Sequence, residues 1–498
     1  MTWLLPLPLI LPFATAVLAF LFRRNGEGRW ISVAGSAVML GAGVLLLADV
    51  LRYGPQAAEM GGWPAPFGIV LVADTLSAVM VVITGITALA VSIYALSDIT
   101  DEMEQLGYHA LFQVLIAGVT GAFLTGDLFN LYVWFEVMLI SSFGLLILGG
   151  KRVQLDAGIK YVTLNLISTI LFLSGIGLLY GTTGTLNLAD LSRIVPTVDD
   201  GLMTVIAMMF MVGFGVKAAV FPLFFWLPAS YHTPSFAVSA VFAGLLTKVG
   251  VYAMMRMFTL VFTQDVGFTH TILLWVACAT MVTGVLGAAA QTDFRRILSF
   301  HIVSQIGYMV LGLALMTPLA LMGAVFYLVH HIIVKANLFL VAGVANRIAG
   351  STELGRIGGL YKGAPFLAFL FLIPAFSLAG FPPLSGFWAK YVLVKASMDI
   401  QMWVVAGIAL AVGLMTIYSM TKIWGQAFWK PHPDGSTPTL SSLRPADRMA
   451  LLLPIGMLAT MTVVIGLFPE PFVQVAERAA AELLDPTAYV TAVLGASE

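Results

Sequence analysis

The sequence predicts an all-α polytopic membrane protein of about 14 transmembrane helices, with two inverted five-helix repeats that each contain a broken helix. Three observations carry that prediction. Apolar runs long enough to cross a bilayer, about 20 residues each, recur along the whole chain. Of 498 residues, 60% are hydrophobic and only 10% charged, against roughly 25% charged in soluble domains, which rules out a soluble enzyme. Two of the long runs carry related proline breaks.

The spans fall near 3–22, 30–51, 70–95, 108–125, 128–149, 160–181, 202–228, 234–262, 269–290, 295–316, 318–346, 364–394, 402–428 and 447–469. Arg23, Arg24 and Arg29 follow the first run instead of preceding it, the wrong polarity for a cleavable signal peptide, so a retained helix starting outside is expected. Basic residues collect on the cytoplasmic side of membrane proteins. With this orientation the cytoplasmic connections hold Arg23, Arg24, Arg29, Lys151, Arg152, Lys160, Arg295, Arg296, Arg347, Arg356, Lys362, Lys430, Arg444 and Arg448, fourteen of the 24 basic residues. Arg52, Arg193, Arg256, Lys395 and Arg478 are read as outward. The acidic connection from Asp98 to Glu104 is the one element out of line. Both termini are expected outside, and the tail after Pro471, with Val473, Val475 and Ala479 among polar residues, is expected to lie on the outer surface as an amphipathic helix.

The breaks Phe221-Pro222-Leu223-Phe224-Phe225-Trp226 and Phe381-Pro382-Pro383-Leu384-Ser385-Gly386-Phe387-Trp388 lie 160 residues apart. That offset spans five helices, an odd number, so a unit repeated at this interval sits upside down relative to its first copy. Residues 1–100 then hold helices 1–3, 107–262 the first repeat (helices 4–8), 267–428 the second (helices 9–13), and 447–498 helix 14 with the C-terminal segment. Proline removes a helical hydrogen bond and clashes with the preceding turn, and paired interrupted helices point to an ion or substrate path. Two unrelated kinks remain the alternative at this point.

A charge at the centre of a spanning helix costs about 2.5–3.5 kcal/mol on insertion scales, so each one needs a reason. Glu136 lies nine residues after Asp127, which is expected to cap its helix, and so sits roughly 13 Å into the bilayer. Lys217 precedes the break at Pro222 by five residues, where an interrupted helix offers carbonyls and room for water. Either Lys217 alternately gains and loses Glu136 as a partner, or the two form a fixed structural pair. Lys248 is mid-span in the next helix. His331 and Lys335, four residues apart, share one helical face, with His330 turned away. His301 is expected to be a satisfied packing residue near the cytoplasmic edge. Lys390 has two placements: on a straight helix from residue 365 it lies roughly 37 Å along the axis and snorkels, whereas a break at Gly380 to Pro383 keeps it in the interior.

Glu136, Lys217, Lys248, His331, Lys335 and Lys390 together read as a proton relay, since relays in pumps and transporters are built from such chains. No cofactor or metal is expected: there is no P-loop, and the single cysteine, Cys278, supports neither a disulfide nor a cluster. A net charge of −1 leaves no electrostatic footprint for nucleic acid, so partners are sought in the lipid bilayer.

Residues 70 to 430 resemble the antiporter-like membrane subunits shared by respiratory complex I and the multisubunit Mrp-type cation/proton antiporters. Asp127-Leu-Phe-Asn-Leu-Tyr-Val-Trp-Phe-Glu136 is similar to the family's helix-five motif, with its glutamate at Glu136. The run from Lys217 through Leu227-Pro228-Ala-Ser-Tyr-His232-Thr-Pro234 to Lys248-Val-Gly-Val-Tyr252 resembles broken helix seven and helix eight with both family lysines. Asp293-Phe-Arg295-Arg296-Ile-Leu-Ser-Phe-His301-Ile-Val-Ser304-Gln305-Ile-Gly307-Tyr308 resembles helix ten. His331-Ile-Ile-Val-Lys335-Ala resembles helix eleven, and Phe381-Pro-Pro-Leu-Ser-Gly-Phe-Trp-Ala-Lys390 resembles broken helix twelve with its terminal proton-carrying residue.

The wording of the helix-five stretch and the overall length are most similar to the Mrp branch, and Lys390 argues against the complex I subunit with glutamate there. The resemblance implies a proton-translocating subunit of a sodium/proton antiporter in a bacterial plasma membrane, partnered by a large A subunit and small membrane subunits, and not itself an enzyme. The alternatives are a proton-pumping subunit of a redox-driven complex, either NADH:quinone oxidoreductase or membrane hydrogenase, and a self-sufficient transporter for an organic solute.

Overall fold

The computed structural model describes residues 2–495. Met1 and residues 496–498, the ends of the first and last expected segments, lie outside the described residues. In chain order the main elements are α1 (Leu7–Leu21), α2 (Gly28–Tyr53), β1 (Gln56–Glu59), β2 (Val70–Ala73), α3 (Thr75–Asp98), α4 (Tyr108–Leu124), α5 (Leu128–Ile147), α6 (Arg152–Thr183) and α7 (Asp200–Ala218). They continue with α8 (Phe236–Val261), α9 (Val266–Ala290), α10 (Phe294–Leu315), α11 (Pro318–Ala349), α12 (Pro365–Ala379), α13 (Ser385–Asp399), α14 (Trp403–Trp429), α15 (Pro445–Leu467), α16 (Glu470–Leu484) and α17 (Thr487–Leu494). Among the described residues 11 helices are long and apolar enough to cross a membrane, and α1, α4 and α12 are shorter apolar helices.

The helices begin where the sequence places oxygen-bearing side chains, because a carboxylate or hydroxyl satisfies orphan N–H groups at a helix N-terminus. Asp74 accepts from Ser77 N–H at 2.9 Å, Asp127 from Asn130 N–H at 2.7 Å, Asp199 from Leu202 N–H at 2.9 Å and Asp293 from Arg296 N–H at 2.9 Å. Asp127 is therefore the cap the sequence suggested. The all-α expectation needs one correction. The apolar run at 70–95 does not start as a helix: Val70–Ala73 pairs antiparallel with Gln56–Glu59. The β-branched Val70 and Val72 favour an extended chain, and the Asp74 cap starts the helix only after them.

Both proline motifs break their helices. α7 ends at Ala218, the chain turns through a left-handed Ala219 (φ 62°), and helix resumes only briefly at Trp226–Ser230. α12 ends at Ala379, turns through Gly380 (φ 95°), and resumes at Ser385. Helix α8 carries an unforeseen irregularity, two π turns at Phe242–Leu246 and Met257–Val261.

Backbone contacts recur at a fixed interval. Leu128 N–H donates to Leu186 C=O at 2.9 Å and Leu188 N–H to Gly126 C=O at 2.9 Å; Phe294 N–H donates to Thr352 C=O at 2.9 Å and Leu354 N–H to Thr292 C=O at 2.8 Å. Each residue of the second pair lies 166 after its counterpart, 128 against 294 and 186 against 352. α6 and α11, offset by the same interval, are both 32 residues long and end on left-handed Gly184 and Gly350.

The charges out of line with the basic-residue rule have local partners. Arg29 pairs with Glu104 at 2.5 Å and Asp101 at 3.0 Å, and Asp98 accepts from Ala237 N–H at 2.9 Å at the start of α8. The acidic connection thus shares an end of the bundle with a basic one. Arg256, read from sequence as part of an outward connection, is instead inside α8, 4% exposed and paired with Asp74 at 2.6 Å. The tail does form a helix, α16, and it is clamped to the bundle: Arg478 donates to Val50 C=O at 2.9 Å and Leu51 C=O at 2.5 Å, and Glu482 accepts from Thr75 N–H at 2.8 Å.

Candidate functional site

Glu136 is the ninth residue of α5 and half-buried. Lys217, next to the last residue of α7, is 7% exposed. The direct pair considered from sequence is not made. Thr169 of α6 stands between the two, donating its hydroxyl to Glu136 Oε1 at 2.7 Å and accepting from Lys217 Nζ at 3.2 Å. Lys217 also donates to Asn165 C=O at 3.4 Å, and so to α6 instead of the carbonyls freed by its own helix's break. Its ammonium lies 5.6 Å from the centre of the Phe135 ring. A cavity of about 20 Å³ lined by Phe135, Tyr161, Asn165, Lys217, Trp226 and Leu246 adjoins it, room for about one water. It reaches α8 at Leu246, two residues before Lys248.

Lys248 is fully buried. Its ammonium donates to Ala243 C=O, one residue into the first π turn of α8. A π turn wraps the backbone more widely than an α turn, and here it presents a carbonyl to a lysine five residues on. A Cβ at Gly244 in the same turn would stand 3.6 Å from Ile332 C=O and 3.7 Å from Ala336 Cβ, ordinary van der Waals distances, so this turn packs beside the helix that carries His331 and Lys335.

Lys335 is also fully buried and donates to Leu298 C=O of α10 at 3.1 Å. His331, one turn before it, has neither ring nitrogen hydrogen-bonded. It lies within electrostatic reach of Lys248, Lys335, His330 and His301, so the helical face predicted from the four-residue spacing joins α8 to α10. The expectation for His301 is corrected. It is fully buried, yet both its ring nitrogens lack a partner, the opposite of a satisfied packing residue. His330 is turned away from this face as expected, and its Nδ1 sits 2.8 Å from Ser385 Oγ.

Lys390 takes the interior placement. It is 8% exposed, its ammonium donates to Leu378 C=O at 2.8 Å and Ala379 C=O at 3.2 Å, and it lies 5.2 Å from the Tyr308 ring centre. Those carbonyls end α12, and the last carbonyls of a helix have no partner within it. Among the described residues, no carboxylate lies within ion-pair distance of Lys217, Lys248, Lys335 or Lys390. Burial of an uncompensated ammonium costs several kcal/mol, so each of these lysines can exist charged only through carbonyl oxygens, water or a moving partner. Such a site can pass protons.

Asn165 and Thr169 escaped sequence reading because they are uncharged. Their four-residue spacing in an apolar helix was the available signal, and His331 and Lys335 stand 166 residues beyond them.

A family model described as NADH:quinone oxidoreductase/Mrp antiporter, TM, matches residues 125–416. A Na(+)/H(+) antiporter subunit of type D, from Alkalihalophilus pseudofirmus, is 47% identical over 491 residues, 98% of this chain and 98% of that one. Among solved structures, a chain of the Mrp complex from Dietzia sp. superposes with a TM-score of 0.91 at 34% identity, covering 99% of this chain and 100% of that one. A chain of respiratory complex I from Thermus thermophilus superposes with a TM-score of 0.82 at 26% identity, covering 97% and 99%.

Proposed function

The chain belongs to the NADH:quinone oxidoreductase/Mrp antiporter transmembrane family, and from that premise we propose that it is the D-type, proton-translocating subunit of a heteromeric sodium/proton antiporter. The observation that carries the reading is the Glu136–Thr169–Lys217 array followed by lysines held on backbone carbonyls. Protons enter at Lys217, pass Lys248, His331 and Lys335 through water, and leave at Lys390. Glu136 compensates the charge on Lys217 through the Thr169 hydroxyl, and rotation of that hydroxyl makes or breaks the compensation.

About fourteen spans, ten of them in two inverted five-helix units at 107–262 and 267–428, are part of this reading. The contacts repeated at an offset of 166 residues and the matched 32-residue helices support it. So do the left-handed turns that end α7 and α12. The setting is a bacterial plasma membrane with both termini outside, and the partners are a large A subunit and the small membrane subunits of an Mrp-type complex. A redox-driven proton pump is the second reading, favoured by the superposition on complex I, but 47% identity over 98% of the chain to an antiporter subunit outweighs a 26% likeness.

The test is cation/proton exchange in inverted vesicles from an antiporter-deficient host expressing the complete gene cluster, with assembly checked by native gel. Loss of sodium-driven pH change in an assembled Lys217→Ala complex supports the reading. Unchanged exchange overturns it and makes redox-driven pumping the next assay.

A further inference from the structure

We propose that His330 is a second proton-carrying histidine of α11, joining Lys335 to Lys390 through the hydroxyl of Ser385. This deepens the antiporter reading and rests on it. Adjacent residues on a helix point about 100° apart, so His331 and His330 serve different neighbours. His331 faces the row already described. His330, 1% exposed, turns to the second broken helix, where its Nδ1 lies 2.8 Å from Ser385 Oγ. Ser385 begins α13 and is itself fixed: its Oγ lies 3.1 Å from Ser377 Oγ, which also accepts from Gly386 N–H at 3.1 Å. The imidazole is thus anchored across the break whose freed carbonyls, Leu378 and Ala379, hold Lys390.

The other ring nitrogen, Nε2, is buried and has no hydrogen-bond partner. An unmet polar atom in a protein interior calls for a water or a proton. The charged groups within electrostatic reach are Lys390 of α13 and Lys335, five residues along α11; Tyr327 stacks edge-on at 5.6 Å. A neutral imidazole with its proton on Nδ1 is an acceptor at Nε2 and a donor at Nδ1. Lys335 gives a proton to Nε2 through water and becomes neutral. The Nδ1 proton moves to Ser385 Oγ while the hydroxyl's own proton passes on through water to a neutral Lys390. Histidine and serine end neutral, Lys335 has lost one proton, and Lys390 has gained it. The packing is tight enough to hold this geometry: a Cβ on Gly386 would meet Ser377 C=O at 1.8 Å and His330 Cε1 at 2.8 Å.

The experiment uses the whole complex and compares His330→Asn, whose amide fills the place of Nδ1 and keeps the bond to Ser385 but cannot carry a proton. Exchange should fall roughly 100-fold in a normally assembled complex, the low end of what a positioned acid–base group contributes. His330→Asn combined with Lys390→Ala should be no worse than Lys390→Ala alone, because both interrupt one wire. Wild-type exchange in assembled His330→Asn overturns the proposal, since hydrogen-bonding shape would then suffice. If that variant does not assemble, Ser385→Ala decides: lost exchange supports the wire and unchanged exchange overturns it. Lys217→Ala, run in parallel, separates this failure from failure of the antiporter reading itself, which would leave exchange intact there too.

Discussion

Glu136 and Lys217 do not touch: the Thr169 hydroxyl lies between them, 2.7 Å from the carboxylate and 3.2 Å from the ammonium. A hydroxyl in this position both donates and accepts, so it transmits the charge of one partner to the other while leaving each free to move. Thr169→Val keeps the shape and removes the hydroxyl. A hydrogen bond to a charged group contributes about 1.5–3 kcal/mol, so exchange in an assembled complex should drop by roughly 10- to 100-fold. Thr169→Ser should retain most activity. Equal rates for the valine and serine variants would show that the hydroxyl does not link the pair.

The left-handed residues at the two breaks make opposite predictions. Ala219 adopts φ 62° and Gly380 φ 95°, a region that disfavours a side chain by about 1–2 kcal/mol. Ala219→Gly should therefore raise the melting temperature of the complex or leave it unchanged. Gly380→Ala should lower it, and the added Cβ would also meet Lys390 Cδ at 3.0 Å, displacing the ammonium from its carbonyls. Exchange should suffer in the second variant and not in the first, as read by parallel melting curves and vesicle assays.

These contacts show where sequence reading succeeds and where it stops. The placement of Lys390 was open until the break was known, because the same residue snorkels on a straight helix and is buried on an interrupted one. The break itself was legible from Phe381-Pro382-Pro383, because proline acts on the local backbone. The Glu136 partner was not legible, because which of several helices stands beside a carboxylate is decided by packing, and Thr169 carries no charge to advertise it. His301 shows the same limit: a histidine near Arg295 and Arg296 looks satisfied along the chain, yet its neighbours in space leave both nitrogens unpaired. The strand at Val70–Ala73 was hidden because four apolar residues before a helix read as more of that helix.

His232 belongs to the motif after the first break but should not carry protons. Burial, then Arg296 and Arg295 nearby, push its pKa down from an ordinary value near 6.5 to about 4, and its Nδ1 lies 2.9 Å from Pro228 C=O. The folded form thus resists a proton that the unfolded chain accepts near 6.5. The contribution of this group to stability is complete above that pH and is lost as the pH falls toward 4. His232→Asn should leave the pH profile of exchange in place above pH 6.5 and reduce the acid sensitivity of the melting temperature. A shifted exchange profile would put His232 on the proton route.

Arg256 and Asp74 should matter to assembly before they matter to transport. Their ion pair at 2.6 Å is buried on both sides, 5% and 1% exposed at the side chains. Arg256 also reaches Tyr252 Oη at 3.2 Å, and Ser77 Oγ joins Asp74 at 2.7 Å, so α3 and α8 meet through a closed polar cluster. Deleting one partner leaves an uncompensated buried charge, which costs about 3–5 kcal/mol, whereas replacing both by apolar residues of similar volume is often neutral. Asp74→Leu alone should therefore deplete the assembled complex. Asp74→Leu with Arg256→Met should restore it, measured as band intensity on native gels at matched expression. If the restored double variant also exchanges cations at the wild-type rate, the pair is a structural fastener between the two helices. If it assembles and does not exchange, the face of α8 that runs from Lys248 through Tyr252 to Arg256 carries protons toward that end of the bundle.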